Sequence, residues 1–378
     1  MGNSGFIAVI GLVLLTLGGC HWYLARRLNR WVRFFAPKFP GWISYAALFG
    51  LMLTLILGFV RSMLAISPGF KQILKIISAY WMGIFIYLLL FFVVTDLIVL
   101  AVKLFMVSPM GLVRFIAGTA AIGLTATVSI YGFLHAARPQ IIRYEVPMPG
   151  QEMNIVLISD IHLGAVGSEE RLAGMVEKIN ALEPDIICIA GDIFDSDFAA
   201  IQNPDETAQT LRKLRATYGV YGCLGNHDAG STYFQMRDYV NQCGIRLLND
   251  EYVVIDERLL LVGRLDGTPI GGYDGSARKP ISQVLEGADR QLPVVVMDHN
   301  PANAEEYTHE ADLILCGHTH KGQIFPGSLI TGMLYTVDHG HYQKDADSPH
   351  IIVTSGVGTW GMPMRVGTDS EIVQIRLG

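Results

Sequence analysis

The sequence predicts a helical membrane region followed by an α/β domain, on three observations. The first 135 residues hold four apolar segments long enough to cross a bilayer. From about residue 151, short apolar runs alternate with amphipathic stretches in a β-α-β rhythm. Five of those runs end in Asp, Asn or His. The 378 residues suffice for two domains. Hydrophobic residues make up 51% and charged residues 16%, and the apolar excess lies at the front of the chain.

The four segments are 6–24, 42–60, 76–102 and 115–134, and each approaches or exceeds the roughly 18–20 residues of a membrane helix. The third is long enough to tilt. No basic residue precedes the first segment, and Arg26 and Arg27 follow it, so a cleaved signal peptide is not expected. Residues 1–137 are read as the membrane region, 138–150 as a linker and 151–378 as the α/β domain.

Basic residues suggest the orientation. Arg26, Arg27, Arg30, Arg33 and Lys38 follow the first segment, with Lys103 and Arg114 between the third and fourth. Against these seven stand five: Arg61, Lys71, Lys75, Arg138 and Arg143. The positive-inside rule favours an outside N-terminus, which after four crossings leaves the α/β domain outside as well. Asp96 lies in the third segment. A membrane carboxylate can mark an ion pathway, but a bond to a neighbouring helix is the expected role.

Five cysteines without a C-x-x-C pattern argue against a disulfide framework and against a cysteine zinc cluster. A Cys223–Cys243 bridge stays open for a domain outside the cytoplasm. The net charge of −6 gives no support for nucleic-acid binding.

In the second half, "MNIVLISD" (153–160) reads as a buried strand and 168–182 as a helix capped by Ser168, with Leu172, Val176 and Ile179 on one face. "PDIICIAGD" (184–192) is a second strand. A helix over about 204–216 leads to a third, "GVYGCLGNHD" (219–228). Further strands are expected at 252–255, 258–263, 293–298, 312–316, 351–354 and 371–376. In such sheets ligands gather beyond the carboxyl ends of strands. There the chain places Asp160 and His162, Asp192, Asn226 with His227 and Asp228, His299, and His318 with His320. Turn chemistry favours Asn and Asp but does not explain the histidines.

These residues resemble the calcineurin-like metallophosphoesterase family. Its pattern of D-x-H, G-D-x-x-D, G-N-H-D/E, a lone H and G-H-x-H stands here as "DIH" (160–162), "GDIFD" (191–195), "GNHD" (225–228), "DHNP" (298–301) and "GHTH" (317–320). The resemblance covers about 150–378. With "SDIHLG" and "GVGTWGMPMRVG" (356–367), the helical front is similar to the membrane-anchored, YkuE-like branch. Lys321 departs from that branch, which usually has glycine there.

The resemblance implies an αββα sandwich and two divalent ions, of Mn, Fe or Zn type, as oxygen and imidazole donors without thiolates suit. One ion would take Asp160, His162 and His320; the other would take Asn226, His299 and His318. Asp192 would bridge them, one carboxylate oxygen to each. His227 would face the leaving-group oxygen, oriented and kept protonated by Asp228, and Asp195 would support the loop or a ligand histidine. The implied reaction is hydrolysis of a phosphomonoester, phosphodiester or pyrophosphate by a metal-bridging hydroxide, a phosphodiester being favoured. Tethering to a membrane suggests a lipid or lipid-linked phosphate. The implied location is a bacterial cytoplasmic membrane.

Other features carry less. His339 and His341 read as a solvated loop pair. "PGSLITGM" (326–333) reads as an apolar flap or a hairpin region, and Trp360, Met362 and Met364 as groove, bilayer or core residues. His21 and His135 are expected at membrane edges. The rival reading is a membrane transport or sensor protein with a regulatory or non-catalytic phosphoesterase-like domain.

Overall fold

Long apolar stretches with strong helix formers give four helices: α1 (Asn3–Phe35), α2 (Gly41–Phe59), α3 (Pro68–Phe105) and α4 (Met110–Ala136). A computed structural model describes residues 3–61, 64–105 and 109–378. The chain divides into two compact units, Met1–Gly132 and Phe133–Gly378. All four helices are long and apolar enough to cross a membrane.

Inside the first unit, Leu24, Leu48, Trp81, Leu88, Phe92 and Ala121 form a common core. Several polar groups beside it pair with one another. Arg27 forms an ion pair with Asp96, and Tyr23 donates to Asp96 Oδ2 at 2.7 Å. Trp81 Nε1 lies 3.2 Å from His21 Nε2, so His21 is a buried core group rather than a membrane-edge residue. Arg26 to Arg33 extend α1 instead of forming a loop, because arginine is a good helix former and Arg27 finds a carboxylate to pair with.

The second unit begins earlier than its first motif. Residues 138–150, expected as a linker, contain strand β1 (Gln140–Val146). Ile142, Tyr144 and Val146 alternate onto the core, a period-2 pattern that draws the segment into a sheet. The other elements follow in order: β2 (Met153–Ile158), α5 (Ser168–Asn180), β3 (Ile186–Ala190), α6 (Pro204–Leu211), β4 (Val220–Cys223) and α7 (Tyr233–Gln242). Then come β5 (Arg246–Leu247), β6 (Glu251–Ile255), β7 (Leu259–Gly263), α8 (Ile281–Val284), β8 (Val294–Met297) and β9 (Leu313–Cys316). The last are α9 (Gly327–Leu334), β10 (Gly340–Tyr342), β11 (His350–Val353) and β12 (Glu371–Leu377).

Two six-stranded sheets result, ordered β1-β12-β2-β3-β4-β5 and β10-β11-β9-β8-β7-β6. Strands β2, β3, β4 and β5 run parallel in the first, and β7, β8, β9 and β11 in the second. Ile155, Leu157, Ile186 and Cys188 share one core with Leu261, Val295, Met297 and Leu315 from the other sheet. Their neighbours Val156, Ile158, Ile187 and Ile189 point the other way, onto α5, α6 and α7. Leu260, Val262, Val296 and Ile314 likewise meet α8 and Tyr307. The layers are therefore helix, sheet, sheet, helix. Burying each large aliphatic side chain contributes about 1.5–3 kcal/mol.

Two helix ends differ from the expected ones. Ser168 is not a cap: it lies in the first turn, and its hydroxyl donates to the Ala165 carbonyl at 2.9 Å. Helix α6 stops at Leu211 because the Asn180 side chain grips Lys213 O at 2.7 Å and Arg215 N at 2.9 Å. The five cysteines are free thiols, so Cys223 and Cys243 form no bridge.

Candidate metal centre

The carboxyl ends of β2, β3 and β4 in one sheet and of β8 and β9 in the other deliver the polar residues. Beyond them the backbone turns sharply. Asp160, His162, Asp192, His318 and His320 all have positive φ, between 48° and 73°. L-residues rarely adopt this region, and such strain gathers at functional sites. Ladder-like bonds hold the turns: Asp160 N donates to Gly191 O at 2.9 Å, His162 N to Asp192 O at 3.1 Å, and Gly317 N to His299 O at 3.0 Å. Gly191 is required there, since its φ is 79° and a Cβ would stand 2.7 Å from His299 Nδ1.

Two clusters converge. In the first, His320 Nε2 lies 3.3 Å from Asp160 Oδ1 and 3.1 Å from His162 Nε2. In the second, His318 Nδ1 lies 2.9 Å from Asn226 Oδ1 and 3.2 Å from His299 Nε2. Asp192 Oδ2 faces both clusters, 3.2 Å from His299 Nε2 and 3.8 Å from His162 Nε2. Its other oxygen, Oδ1, accepts from His227 N at 2.8 Å. A single oxygen of Asp192 is thus turned to both clusters, not one oxygen to each, because the backbone has claimed the second.

This donor set fits a divalent cation. Asp160 Oδ1 is buried with no hydrogen-bond partner, a costly state for a carboxylate oxygen. Its Oδ2 is engaged by Ser159 and by His318 N. His299 Nδ1 donates to the Ala190 carbonyl at 2.8 Å, which turns Nε2 to the centre. Burial opposes charge on Asp160 and Asp192, yet His320 and His299 beside them hold both carboxyls below the usual range. Burial pushes the His318 and His320 imidazoles down, toward the neutral form that binds metals. Asp160, His162 and His320, and likewise Asp160, Asp192 and His299, bring ligand atoms within 4.8 Å of one another. The clusters form a candidate divalent-metal site.

His227 borders the first cluster, its ring 5.3 Å from that of His162. Its Nδ1 is hydrogen-bonded to Ser196 Oγ, which sequence reasoning missed. Asp228, expected to orient His227, does something else. Its carboxylate accepts from the backbone N–H groups of Phe194 at 2.8 Å, Gly225 at 2.9 Å and Ile193 at 3.1 Å. It clamps the β3 and β4 loops and leaves no bond for the His227 ring. The turn that aims His227 at the centre points Asp228 back under it. Burial, reinforced by the Asp192 charge, pushes the Asp228 carboxyl up to about 7 against those three donors. Burial also lowers the His227 pKa, which favours the neutral ring. Asp195 Oδ1 lies 3.8 Å from His162 Nδ1, beside a histidine of the first cluster.

Two further supports were not foreseen. Arg365 is fully buried and donates to the carbonyls of Ser355 at 2.6 Å, Gly358 at 2.7 Å, and Gly356 and His320 at 3.1 Å. Its Nη2 also lies 3.3 Å from His320 Nδ1. The only signal was a lone arginine in the apolar closing segment. Asp298, before His299, accepts from Arg278 at 2.6 Å and Tyr307 at 2.5 Å, fixing the root of that loop.

The remaining candidates separate. His339 pairs with buried Glu371 at 2.7 Å, and exposed His341 lies on strand β10, 2.9 Å from His350, rather than in a loop. His135 Nε2 bonds Asp369 Oδ1 at 2.7 Å. Lys321 has φ 50°, a conformation glycine takes without strain, and its backbone N–H bonds Thr319 Oγ1 at 3.0 Å. Residues 327–334 are the helix α9, not a hairpin. Met362 and Met364 are core, while Trp360 is half-exposed with its ring 6.1 Å from that of His227.

Comparison with known proteins agrees with this geometry. Residues 153–322 match the family model described as calcineurin-like phosphoesterase. An uncharacterized metallophosphoesterase of Aquifex aeolicus is 33% identical over 232 residues, covering 60% of this chain and 86% of that protein. The chain belongs to the calcineurin-like metallophosphoesterase family. Another uncharacterized metallophosphoesterase, from Helicobacter pylori strain J99, is 31% identical over 252 residues and 64% of each chain. A Bos taurus transmembrane protein with metallophosphoesterase domain is 31% identical over 280 residues, 68% of this chain and 61% of that one. This metallophosphoesterase thus spans somewhat less than two thirds of the length of those last two relatives. The four apolar helices and the transmembrane relatives indicate membrane association.

Proposed function

We propose that this chain is a membrane-bound, metal-dependent phosphoesterase holding two divalent cations. Asp160, His162 and His320 would hold one, and Asn226, His299 and His318 the other, with Asp192 Oδ2 shared. The observation that supports this most is Asp160 Oδ1, a buried carboxylate oxygen that faces imidazoles and has no hydrogen-bond partner. Two such ions supply Lewis-acid polarisation of a phosphoryl oxygen and bring the pKa of bound water toward neutrality. The chain's residues do the rest. Asp160 and Asp192 concentrate negative charge where cations are needed. Ser196 can donate to His227 Nδ1. That tautomer leaves Nε2–H, which has no hydrogen-bond partner among the described residues, to donate a hydrogen bond that stabilises charge on a leaving-group oxygen. His227 would act as a neutral donor, not as an imidazolium held by Asp228.

A phosphodiester is the favoured substrate. Tethering raises the effective concentration of substrates in the membrane plane and favours a lipid or lipid-linked phosphate. The basic residues favour an extracytoplasmic catalytic domain, and the YkuE-like resemblance a bacterial cytoplasmic membrane. The test uses the full chain with bis(p-nitrophenyl) phosphate, chelator and added Mn. Chelation should abolish hydrolysis and Mn restore it. Asp192→Ala and His227→Ala should each lower the rate more than about 10²-fold. An unchanged rate in both variants rules the mechanism out.

A further inference from the structure

The segment after His320 has a composition foreign to the rest of its unit. From Gly322 to Val337 there is no charged residue. Within it, α9 has no buried residue. Leu329 and Ile330 are more than half exposed, Met333 is 83% exposed and Leu334 73%. At about 100° per residue these four side chains cover one face roughly 140° wide. The opposite face is small and weakly polar: Gly327, Ser328, Thr331 and Gly332. Thr331 Oγ1 donates to Asp338 Oδ2 at 2.8 Å, which turns that face toward the protein.

The helix is tied to the metal centre at both ends. Thr319, between the two histidines, donates to Asp338 O at 2.6 Å. Tyr335, just past α9, has its ring 6.1 Å from that of His318. Gln323 Nε2 donates to Trp360 O at 2.9 Å and Met362 O at 3.0 Å, and Trp360 N returns a bond to Gln323 Oε1 at 2.8 Å. Half-exposed Trp360, beside His227, therefore belongs to the same rim as α9.

We propose that α9 and Trp360 form an interfacial docking surface for the bilayer, bringing the mouth of the centre to lipid-borne phosphoesters. The inference deepens the phosphoesterase reading and rests on it for the substrate. An amphipathic helix with a wide apolar face lies in the plane of the interface, and tryptophan is enriched at that depth. A second copy of the chain fits less well. Four side chains offer far less than the roughly 800 Å² per partner of a stable interface. A bilayer needs no such area, because the same chain carries four helices able to span it and the effective concentration is high. The substrate class is a phosphoester whose apolar portion stays in the lipid while its phosphate reaches His227. Because α9 carries no basic residue, docking would be insensitive to salt and to the anionic lipid fraction.

The experiment uses the full chain in nanodiscs, with a fluorophore on Met333→Cys in a Cys20→Ala background. The control label sits on Glu257→Cys, in the exposed β6–β7 turn. Replacing phosphatidylcholine by its acyl-brominated form should quench the Met333 label about two-fold or more, and the Glu257 label little, at low and high salt alike. Equal quenching at both positions overturns the proposal. So does crosslinking between Met333→Cys residues of two chains, which would assign α9 to a second copy. In the same discs, L329S/I330S/M333S/L334S should slow a phosphatidyl p-nitrophenyl ester about ten-fold and leave soluble bis(p-nitrophenyl) phosphate within about two-fold. Equal loss on both overturns the docking role. A wild-type chain inert to both esters sinks the phosphoesterase reading, and the quenching result still decides docking.

Discussion

Asp96 in the helical unit and Asp160 in the α/β unit are both carboxylates beside strongly apolar stretches, and they differ in how their oxygens are engaged. Both oxygens of Asp96 are engaged, one by Arg27 and one by Tyr23. Asp160 has one oxygen held by Ser159 and His318 N, and one with no hydrogen-bond partner. A low-dielectric site tolerates a carboxylate when its lone pairs are satisfied. The satisfied one is therefore a structural joint between α1 and α3. The unsatisfied one, ringed by imidazoles, is suited to a metal ion. The same contrast weakens the transport reading, whose polar foothold was Asp96.

Substitutions that treat the two carboxylates alike should have unlike outcomes. Asp160→Asn should lower hydrolysis more than about 10²-fold, beyond the 10–100-fold usual for outer partners of a metal site. Circular dichroism should show the fold retained. Next in size is Arg365→Lys, since an ammonium cannot serve four carbonyls and His320 together. Metal affinity by isothermal titration should fall about 10–100-fold. Asp96→Asn should leave hydrolysis of a soluble diester within about two-fold. Its cost would appear as lower thermal stability in detergent, about 1 kcal/mol, because Asp96 is partly exposed. A large activity loss there would break the comparison.

The smallest effect concerns Glu371. Burial raises its pKa, but bonds from His339 and Ser355 more than offset this and hold it below the ordinary glutamate value. The folded chain thus binds this proton less readily than the unfolded chain. The stability involved is present above the ordinary glutamate pKa, about 4.3. It is lost as pH falls from there through the lower folded value. Glu371→Gln should remove that acid-side slope in denaturant melts recorded between about pH 3.3 and about pH 5.3, a unit either side of the ordinary value.

Much of the centre was legible because each candidate ligand ends an apolar run, and strand ends in parallel sheets are where ligands collect. Asp160, His162, Asp192, Asn226, His299, His318 and His320 are all brought together. What was not legible depends on contacts far apart in sequence. Asp228 follows His227 and so looked like its partner, but a turn sends adjacent side chains to opposite sides. Ser196 and Arg365 reach the centre across 31 and 45 residues of chain. Strand β1 was hidden because its alternation is short and holds Arg143 and Glu145. Helix α9 was hidden because its glycines suggested a turn.

The most direct test of the account is the metal content of the purified full-length chain after dialysis against Mn, read by inductively coupled plasma mass spectrometry. With Asp192 Oδ2 shared between two clusters, the wild type should hold two divalent ions, and Asp160→Asn and Asp192→Asn measurably fewer, while Asp96→Asn keeps both. A wild type that hydrolyses phosphodiesters without retaining any divalent ion, or an Asp160→Asn chain with undiminished metal, would contradict it.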